Sequence, residues 1–169
     1  DLVLSADRPI SQDWQAQAEK FGLQTARTWQ FRSMISLGDK TVLSEVKAVN
    51  ETYPLRGHLK IRQSVQVPAT EVKTGPKPGT VWLEPQLMHD LGVQIGEKIH
   101  LGMLQLVVDQ WLEYEPDRTM QFVNLAPRTL FNAADLEASQ LLGPGSRAQY
   151  ALLMAGEGES VSQMRQLAE

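Results

Sequence analysis

Four carboxylates near the middle of this sequence are the residues best suited to chemistry: Asp109, Glu113, Glu115 and Asp117. In an extended chain Glu113, Glu115 and Asp117 point to the same side, which would suit a metal ion or an acid–base pair. Pro116 interrupts the strand there, and acidic side chains in a loop are ordinarily exposed to water. We therefore expect a solvated acidic loop, and a hydrolase that uses the segment from Glu113 to Asp117 is the competing interpretation.

Other reactive groups are sparse. The histidines His58, His89 and His100 are not spaced by three or four residues, so they do not form a helical metal-binding pair. His89 falls near the end of a short predicted helix, where the dipole favours a cation. The sequence has no cysteine, no phosphate-binding glycine loop and no G-x-S-x-G nucleophile motif. It therefore predicts no catalytic residue, no metal site and no cofactor.

The charge balance argues against nucleic acid as a partner. Sixteen Lys and Arg residues face 20 Asp and Glu residues, which gives a formal net charge of −4. A surface of this kind lacks the positive field that neutralises phosphates. With 42% hydrophobic residues among 169, the chain has enough apolar material for one domain or two small ones. No apolar run approaches the roughly 20 residues of a membrane span.

One strand carries the residues that we predict to contact a partner. Trp29 and Phe31 share a side of this strand, which also carries Arg27 and Arg32, and Met34 follows. Core packing is the usual role of aromatic residues, yet this combination also suits a protein or lipid contact. We predict partner binding at Trp29, Phe31 and Met34.

The elements that would position these residues fall into an outer and a middle part. The outer part begins with a strand, a helix capped by Ser11, and a hairpin that turns at Gly38-Asp39. It resumes with an extended segment at 120–130, a short helix capped by Asn132, a turn at 143–145, a strand at 148–154 and a last helix. Because the chain starts in a strand and stops within a helical pattern, we expect an insert cut from between two membrane spans.

The middle part, from residue 55 to about 117, has a different character. Its prolines and glycines predict an exposed loop over 65–79, and Glu84-Pro85 begins a short helix that Gly92 ends. Strands at 98–101 and 104–112 follow, so this part reads as a small β barrel with one helix. We predict an α+β fold in which 1–54 and 119–169 form one subdomain and 55–118 an inserted, mostly β subdomain.

The order and spacing of several structural motifs resemble a known family over nearly the whole chain. The motifs lie at 5–14, 31–57, 78–97, 125–128 and 132–136. They resemble the first periplasmic domain of FtsX- and MacB-like permeases of ABC transporters. The resemblance implies a MacB-like core, with a porter-like strand-and-helix subdomain interrupted by a small sabre-like β subdomain.

The resemblance also implies a function. Such domains are non-catalytic and lie on the periplasmic side of the bacterial inner membrane, where they transmit movement from a cognate cytoplasmic ATPase. Further expected partners are a periplasmic thioesterase or lysophospholipase and a hydrophobic, lipid-like substrate. The alternative is a periplasmic lipid or small-molecule binding domain, which would require a sizeable apolar pocket between the subdomains.

Overall fold

The computed structural model describes residues 2–116, 126–143 and 147–168 of the 169. These residues form ten strands, four α-helices and a short 3-10 helix. In chain order they are β1 (Leu2–Ala6), α1 (Gln12–Lys20), β2 (Gln24–Leu37), β3 (Lys40–Val49), β4 (Leu59–Arg62), β5 (Thr70–Val72), β6 (Thr80–Leu83), α2 (Pro85–Leu91), β7 (Lys98–Leu101), β8 (Leu104–Tyr114), β9 (Arg128–Asn132), the 3-10 helix (Ala133–Asp135), α3 (Leu136–Ser139), β10 (Gln149–Ala155) and α4 (Gly158–Ala168).

The ten described strands belong to one sheet in the order β1-β10-β2-β3-β9-β6-β8-β4-β5, and β7 pairs with both β2 and β8. The path from β2 through β3, β9, β6, β8 and β7 therefore returns to β2 and closes a six-stranded ring. The closing pairs on β2 and β7 are Ile35 with Leu101 and Ser36 with His100. Closure leaves no open sheet edge around this ring.

The interior of the ring is the largest apolar cluster. Strand alternation turns Phe31 and Ile35 of β2 to the same side, and both are buried there. Helix α2 adds Leu87, Met88 and Leu91 to the same core. The other main contributors come from β3 and from β6 to β9: Val46, Ala48, Val81, Leu83, Ile99, Leu101, Leu106, Val108 and Phe131. Each full burial of a large apolar side chain is worth about 1.5–3 kcal/mol, so this interior dominates the stability of the fold.

A second layer covers the β1, β10 and β2 end of the sheet. Helices α1 and α4 pack there through Ala18 and Met164 against Leu152 and Met154. The predicted cap of α1 is confirmed, because the amide of Asp13 donates to Ser11 Oγ at 3.1 Å. The predicted strand, helix and hairpin at the start of the chain are confirmed as well.

The predicted mixed class is confirmed as a sheet-dominated fold with helices. The division into two subdomains stays a prediction. Strands β2, β3 and β9 come from the predicted outer part and β6, β7 and β8 from the predicted middle part, yet they share one ring. The structure thus joins the two parts by backbone pairing of β2 with β7 and of β9 with β6.

Two other expectations meet different outcomes. The predicted loop at 65–79 is wrong for Thr70–Val72, which pair with Leu59–Ile61 as β5. A strand of three mostly exposed residues is too short to show an alternation of apolar and polar residues in the sequence. It forms because it pairs with β4. The predicted extended segment at 120–130 lies partly outside the described residues, and its described end belongs to β9. The predicted turn at 143–145 also lies partly outside them.

The β7–β8 turn provides a test of this packing. Gly102 has a φ of 58°, and a Cβ there would collide with the Ser139 carbonyl oxygen and lie 2.8 Å from Leu141 Cγ. Gly22 has a φ of 81° and nothing within 4 Å of such a Cβ. We expect Gly22→Ala to lower the free energy of unfolding by about 1–2 kcal/mol from the left-handed backbone alone, and Gly102→Ala by about 1–3 kcal/mol more from overpacking.

Urea denaturation of the two variants measures the difference. Equal losses at both positions would contradict the close contact of the β7–β8 turn with the segment after α3.

Candidate functional site

The structure separates the predicted carboxylate cluster. Glu113 Oε1 lies 2.6 Å from Arg62 Nε as an ion pair, although the two atoms are not aligned as a hydrogen bond. Asp109 is half-buried in β8, and Asp117 lies outside the described residues. Glu115 is only 3% exposed, so the predicted solvated loop is wrong for this residue. A buried carboxylate is tolerated there because it has two cationic partners.

Those partners form a buried ion cluster, which we define as Lys47, Tyr53, Glu115 and Arg128. Lys47 Nζ lies 3.1 Å from Glu115 Oε2 and donates to the Tyr53 hydroxyl at 3.0 Å. Arg128 Nε donates to Glu115 Oε1 at 2.7 Å. The backbone amide of Arg128 also donates to the Glu84 carboxylate. All four side chains of the cluster are at most 4% exposed.

The buried ion cluster joins distant parts of the chain. Lys47 lies within β3, Glu115 follows β8, and Arg128 begins β9. Because Glu115 and Arg128 bracket residues 116–127, their ion pair holds the two ends of that segment together. These groups satisfy one another, as buried charges must. The cluster holds β3, the residue after β8 and the start of β9 together. Glu113 and Glu115 contact different cations and do not point to a common site.

Lys47 was not recognised from the sequence. It lies in the apolar run of β3, and Ser44-x-x-Lys47 has the spacing of a known serine-nucleophile motif. A strand sends residues three apart to opposite faces, however. Ser44 Oγ accordingly lies 2.6 Å from Thr129 Oγ1, while Lys47 reaches Glu115. The spacing could have drawn attention to Lys47, but it does not make a catalytic pair.

The predicted partner-binding residues divide between two faces of β2. Trp29 is half-buried and packs against the ring interior, and Phe31 is buried within it. Met34 lies on the other face and is 49% exposed. It pairs across the hairpin with Leu43, which is 44% exposed. Binding of a partner stays a prediction, and on this surface it rests on Met34 and Leu43.

The side chain of Arg27 on the same strand is hydrogen-bonded within the protein. Its Nε donates to Gln15 Oε1 at 2.6 Å and its Nη1 to the carbonyl oxygen of Ile10 at 3.0 Å. Burial lowers the pKa of the guanidinium below its ordinary value, because the charged form loses hydration. These bonds fasten the entry of α1 to β2.

The three histidines occupy separate places. His58 Nε2 lies 3.4 Å from Glu71 Oε1, and His100 Nε2 lies 2.9 Å from the Gln105 amide nitrogen. His89 is exposed in the last turn of α2, as its position near the helix end predicted. Within residues 2–116, 126–143 and 147–168, no three His, Asp or Glu side chains are arranged to hold a metal ion.

An apolar junction groove lies where the predicted outer and middle parts meet. It is lined by residues of β1, β10 and the segment after β3: Leu2, Val3, Tyr53, Pro54, Leu55, Arg56, Pro116, Leu153, Met154 and Ala155. Its volume is about 190 Å³, and Val3 at its side is 56% exposed. Pockets that enclose small ligands typically measure about 300–1,000 Å³, so this groove is small for that purpose.

Comparison with known proteins shows which fold the chain shares. The fold matches the extracellular domain of the noncanonical ABC-type transporter YknZ from Gram-positive bacteria with a TM-score of 0.62, over 91% of this chain and 76% of that one, at 9% sequence identity. No family model matches the chain. The chain shares the fold of that extracellular domain.

A curated relative makes the similarity more specific. The chain is 32% identical over 156 residues to the uncharacterized ABC transporter permease YbbP of Escherichia coli strain K12. The match covers 92% of this chain and 18% of the permease, so the chain corresponds to less than a fifth of that protein. The resemblance found in the sequence motifs is to this permease and is confirmed.

The predicted location on the periplasmic side of the inner membrane is confirmed by these relatives. In the part of the chain that the structure describes, no helix has the length and apolar character of a membrane span.

The buried ion cluster allows a stability test. Lys47→Met leaves the buried Glu115 carboxylate with Arg128 alone, and we expect a loss on the order of 3 kcal/mol in the free energy of unfolding. Arg32→Met removes a cation whose side chain is 61% exposed beside Glu45, and we expect less than about 1 kcal/mol.

Chemical denaturation compares the two variants. Adding Glu115→Gln to Lys47→Met leaves the buried Arg128 guanidinium without its charge partner and should increase the loss. Similar small losses for Lys47→Met and Arg32→Met would contradict a fastening role for the cluster.

Proposed function

We propose that this chain is a non-catalytic, force-transmitting domain of a mechanotransmission-type permease. In this proposal a cognate cytoplasmic ATPase moves the membrane part of the permease, and the domain follows as a rigid lever on the periplasmic side. The observation that carries the proposal is the closed ring of β2, β3, β9, β6, β8 and β7.

The ring supports the proposal because it resists bending. The predicted outer part contributes β2, β3 and β9, and the predicted middle part contributes β6, β8 and β7. The two groups pair with each other at β9–β6 and at β2–β7, so a change of angle between the parts would separate paired strands and open the apolar interior. Each lost backbone hydrogen bond costs about 1 kcal/mol, and each exposed core side chain costs more. Movement of the domain as one body avoids these losses.

The buried ion cluster supports the same conclusion. Lys47, Glu115 and Arg128 lie on three different strands or strand ends, and sliding of one strand would leave a charge without its partner. Such a loss is strongly unfavourable in a buried place. We retain the porter-like and sabre-like division at 1–54 with 119–169 and at 55–118 as part of the proposal, with both subdomains moving together.

The similarity to an ABC-transporter permease suggests the partners. We propose that the full permease works with its cytoplasmic ATPase, recruits a periplasmic thioesterase or lysophospholipase, and assists in the extraction or handling of hydrophobic, lipid-like compounds. The domain contributes position and movement to these steps, and the chemistry takes place in the partners.

A disulfide across the ring closure tests the rigid lever. The sequence contains no cysteine, and Ser36 and His100 lie directly opposite each other on β2 and β7, which suits a disulfide. With Ser36→Cys and His100→Cys in the full permease, we expect ATP-dependent recovery of the periplasmic hydrolase from extract to stay within about twofold of the reduced form, since no hinge crosses the bond.

Deletion of the whole domain from the permease serves as the positive control and should abolish this recovery. Each single cysteine variant controls for the substitutions. Loss of ATP-dependent recovery in the oxidised double variant, restored by reductant, would show that the ring must open and would overturn the rigid lever.

The exposed pair of Met34 and Leu43 is our candidate surface for the hydrolase. Met34→Glu places a charge at the centre of this apolar pair, and we expect at least a fivefold reduction in recovered hydrolase, equivalent to about 1 kcal/mol of binding. Leu167→Glu on α4 is a matched control, since Leu167 and Met34 are both 49% exposed. Equal effects of the two variants, or no effect of Met34→Glu, would refute this surface.

A lipid or small-molecule binding domain remains the second candidate, and the junction groove is the observation that favours it. Its lining is largely apolar, and it lies at the meeting of the two predicted parts. A groove of about 190 Å³ covers only a portion of an acyl chain, however, so we rank force transmission first.

A further inference from the structure

A second cleft differs from the junction groove in its chemistry. It lies between the segment after β4 and the segment after α2, and it has a volume of about 450 Å³, within the range of ligand pockets. Its lining consists of Gln63, Ser64, Val65, Gln66, Val93, Gln94, Ile95 and Trp111. None of these side chains is charged, although the chain carries 36 charged residues as 16 basic and 20 acidic ones. We call it the amide cleft.

The glutamines give the amide cleft unused hydrogen-bonding capacity. The side chains of Gln66 and Gln94 have no hydrogen-bond partner within the described part of the chain. Gln63 Nε2 makes a long contact of 3.4 Å with the Asp109 carbonyl oxygen, which leaves its amide oxygen available. Each side-chain amide presents both donors and an acceptor. Gln94 is held in place, because its backbone amide donates to Glu97 Oε1 at 2.8 Å.

Trp111 supplies an apolar wall to the same cleft. It is half-buried and packs against the ring interior, so its position is set by the core. Arg62 Cζ lies 5.6 Å from the ring centroid on one face, and Glu113 neutralises that guanidinium. Ile95 and the 62% exposed Val65 extend the apolar surface. The one nearby cation is therefore paired. Glu97, which accepts from the Gln94 backbone amide, is an acidic group beside the cleft, so the surroundings disfavour an anionic ligand.

These observations define the chemistry of the ligand. Amide groups that both donate and accept match hydroxyl groups, which do the same. The apolar C–H face of a pyranose ring packs against an indole, and an uncharged lining gives no gain to a carboxylate or phosphate. We propose that the amide cleft binds a neutral pyranose oligosaccharide.

The site is independent of force transmission. A domain that moves on the periplasmic side of the membrane would acquire through the amide cleft a point of contact with envelope glycans. Failure of either proposal leaves the other intact, because the cleft and the ring closure involve different residues.

The experiment is a titration of the chain with three trisaccharides. Binding is measured from the changes in the NMR chemical shifts of the side-chain amides and of the backbone. The probes are triacetylchitotriose and maltotriose, both neutral, and trigalacturonate, which has three carboxylates. We expect at least one neutral probe to bind with a Kd on the order of 1 mM, with shifts at Gln66, Gln94 and Trp111, and at least tenfold tighter than trigalacturonate.

Substitutions then locate the binding. Gln66→Ala and Gln94→Ala should each weaken the neutral trisaccharide about fivefold, the effect of one hydrogen bond. Gln163→Ala, an exposed glutamine on α4, is the matched control and should change nothing. These variants spare Trp111, whose replacement would also disturb the core.

Three results would overturn the proposal. They are no shift with either neutral trisaccharide up to tens of millimolar, equal or tighter binding of trigalacturonate, and binding that Gln66→Ala and Gln94→Ala leave at the level of Gln163→Ala.

Discussion

The pairing of β2 with β7 is the constraint on which the rest of the fold depends. Only two residues of β2, Ile35 and Ser36, take part in it, yet they convert a row of strands into a ring. Without them β2 and β7 would each expose an edge beside the largest apolar cluster, and Ile35 and Leu101 would meet water. This small contact matters because closing the ring and burying the whole apolar interior occur together. Its surroundings, the Gly102 turn and the segment after α3, keep β7 in place.

Strand β2 connects that ring to the helix-covered end of the sheet. Its first half pairs with β10 from Gln24 to Gln30, and its tip pairs with β7, on the same edge. The other edge pairs with β3 over most of its length. A displacement applied near β1 and β10 is therefore carried into the ring by one continuous strand, without a loop in between. This continuity supports the proposal that the domain moves as one body.

Local signals in the sequence predicted the parts of the fold that depend on local physics. Ser11 and Gly92 marked helix ends because free amides and left-handed backbone have characteristic residues. Alternation marked β1 and β10, and the content of β-branched and aromatic residues marked β2. The ring closure was out of reach, since its pairs lie more than 60 positions apart in the chain, as Ile35 and Leu101 do. The same holds for the site. Four acidic positions could be named from the sequence, but the burial of Glu115 depends on Lys47 and Arg128, which strand pairing brings together.

The chain has 36 acidic and basic residues, yet its described part contains no cluster of His, Asp and Glu that could hold a metal ion. The pairing of the buried charges accounts for this. Each buried charge is matched by an opposite charge inside the protein: Glu115 by Lys47 and Arg128, and the half-buried Glu113 by Arg62. Catalysis needs the opposite arrangement, with a group held near a cleft and left partly unsatisfied until substrate arrives. In the amide cleft, Gln66 and Gln94 are exposed and make no side-chain hydrogen bond to another described residue, so their neutral amides are the groups available to a ligand. Neutral amides can hold a ligand through hydrogen bonds, which is the role proposed for the amide cleft.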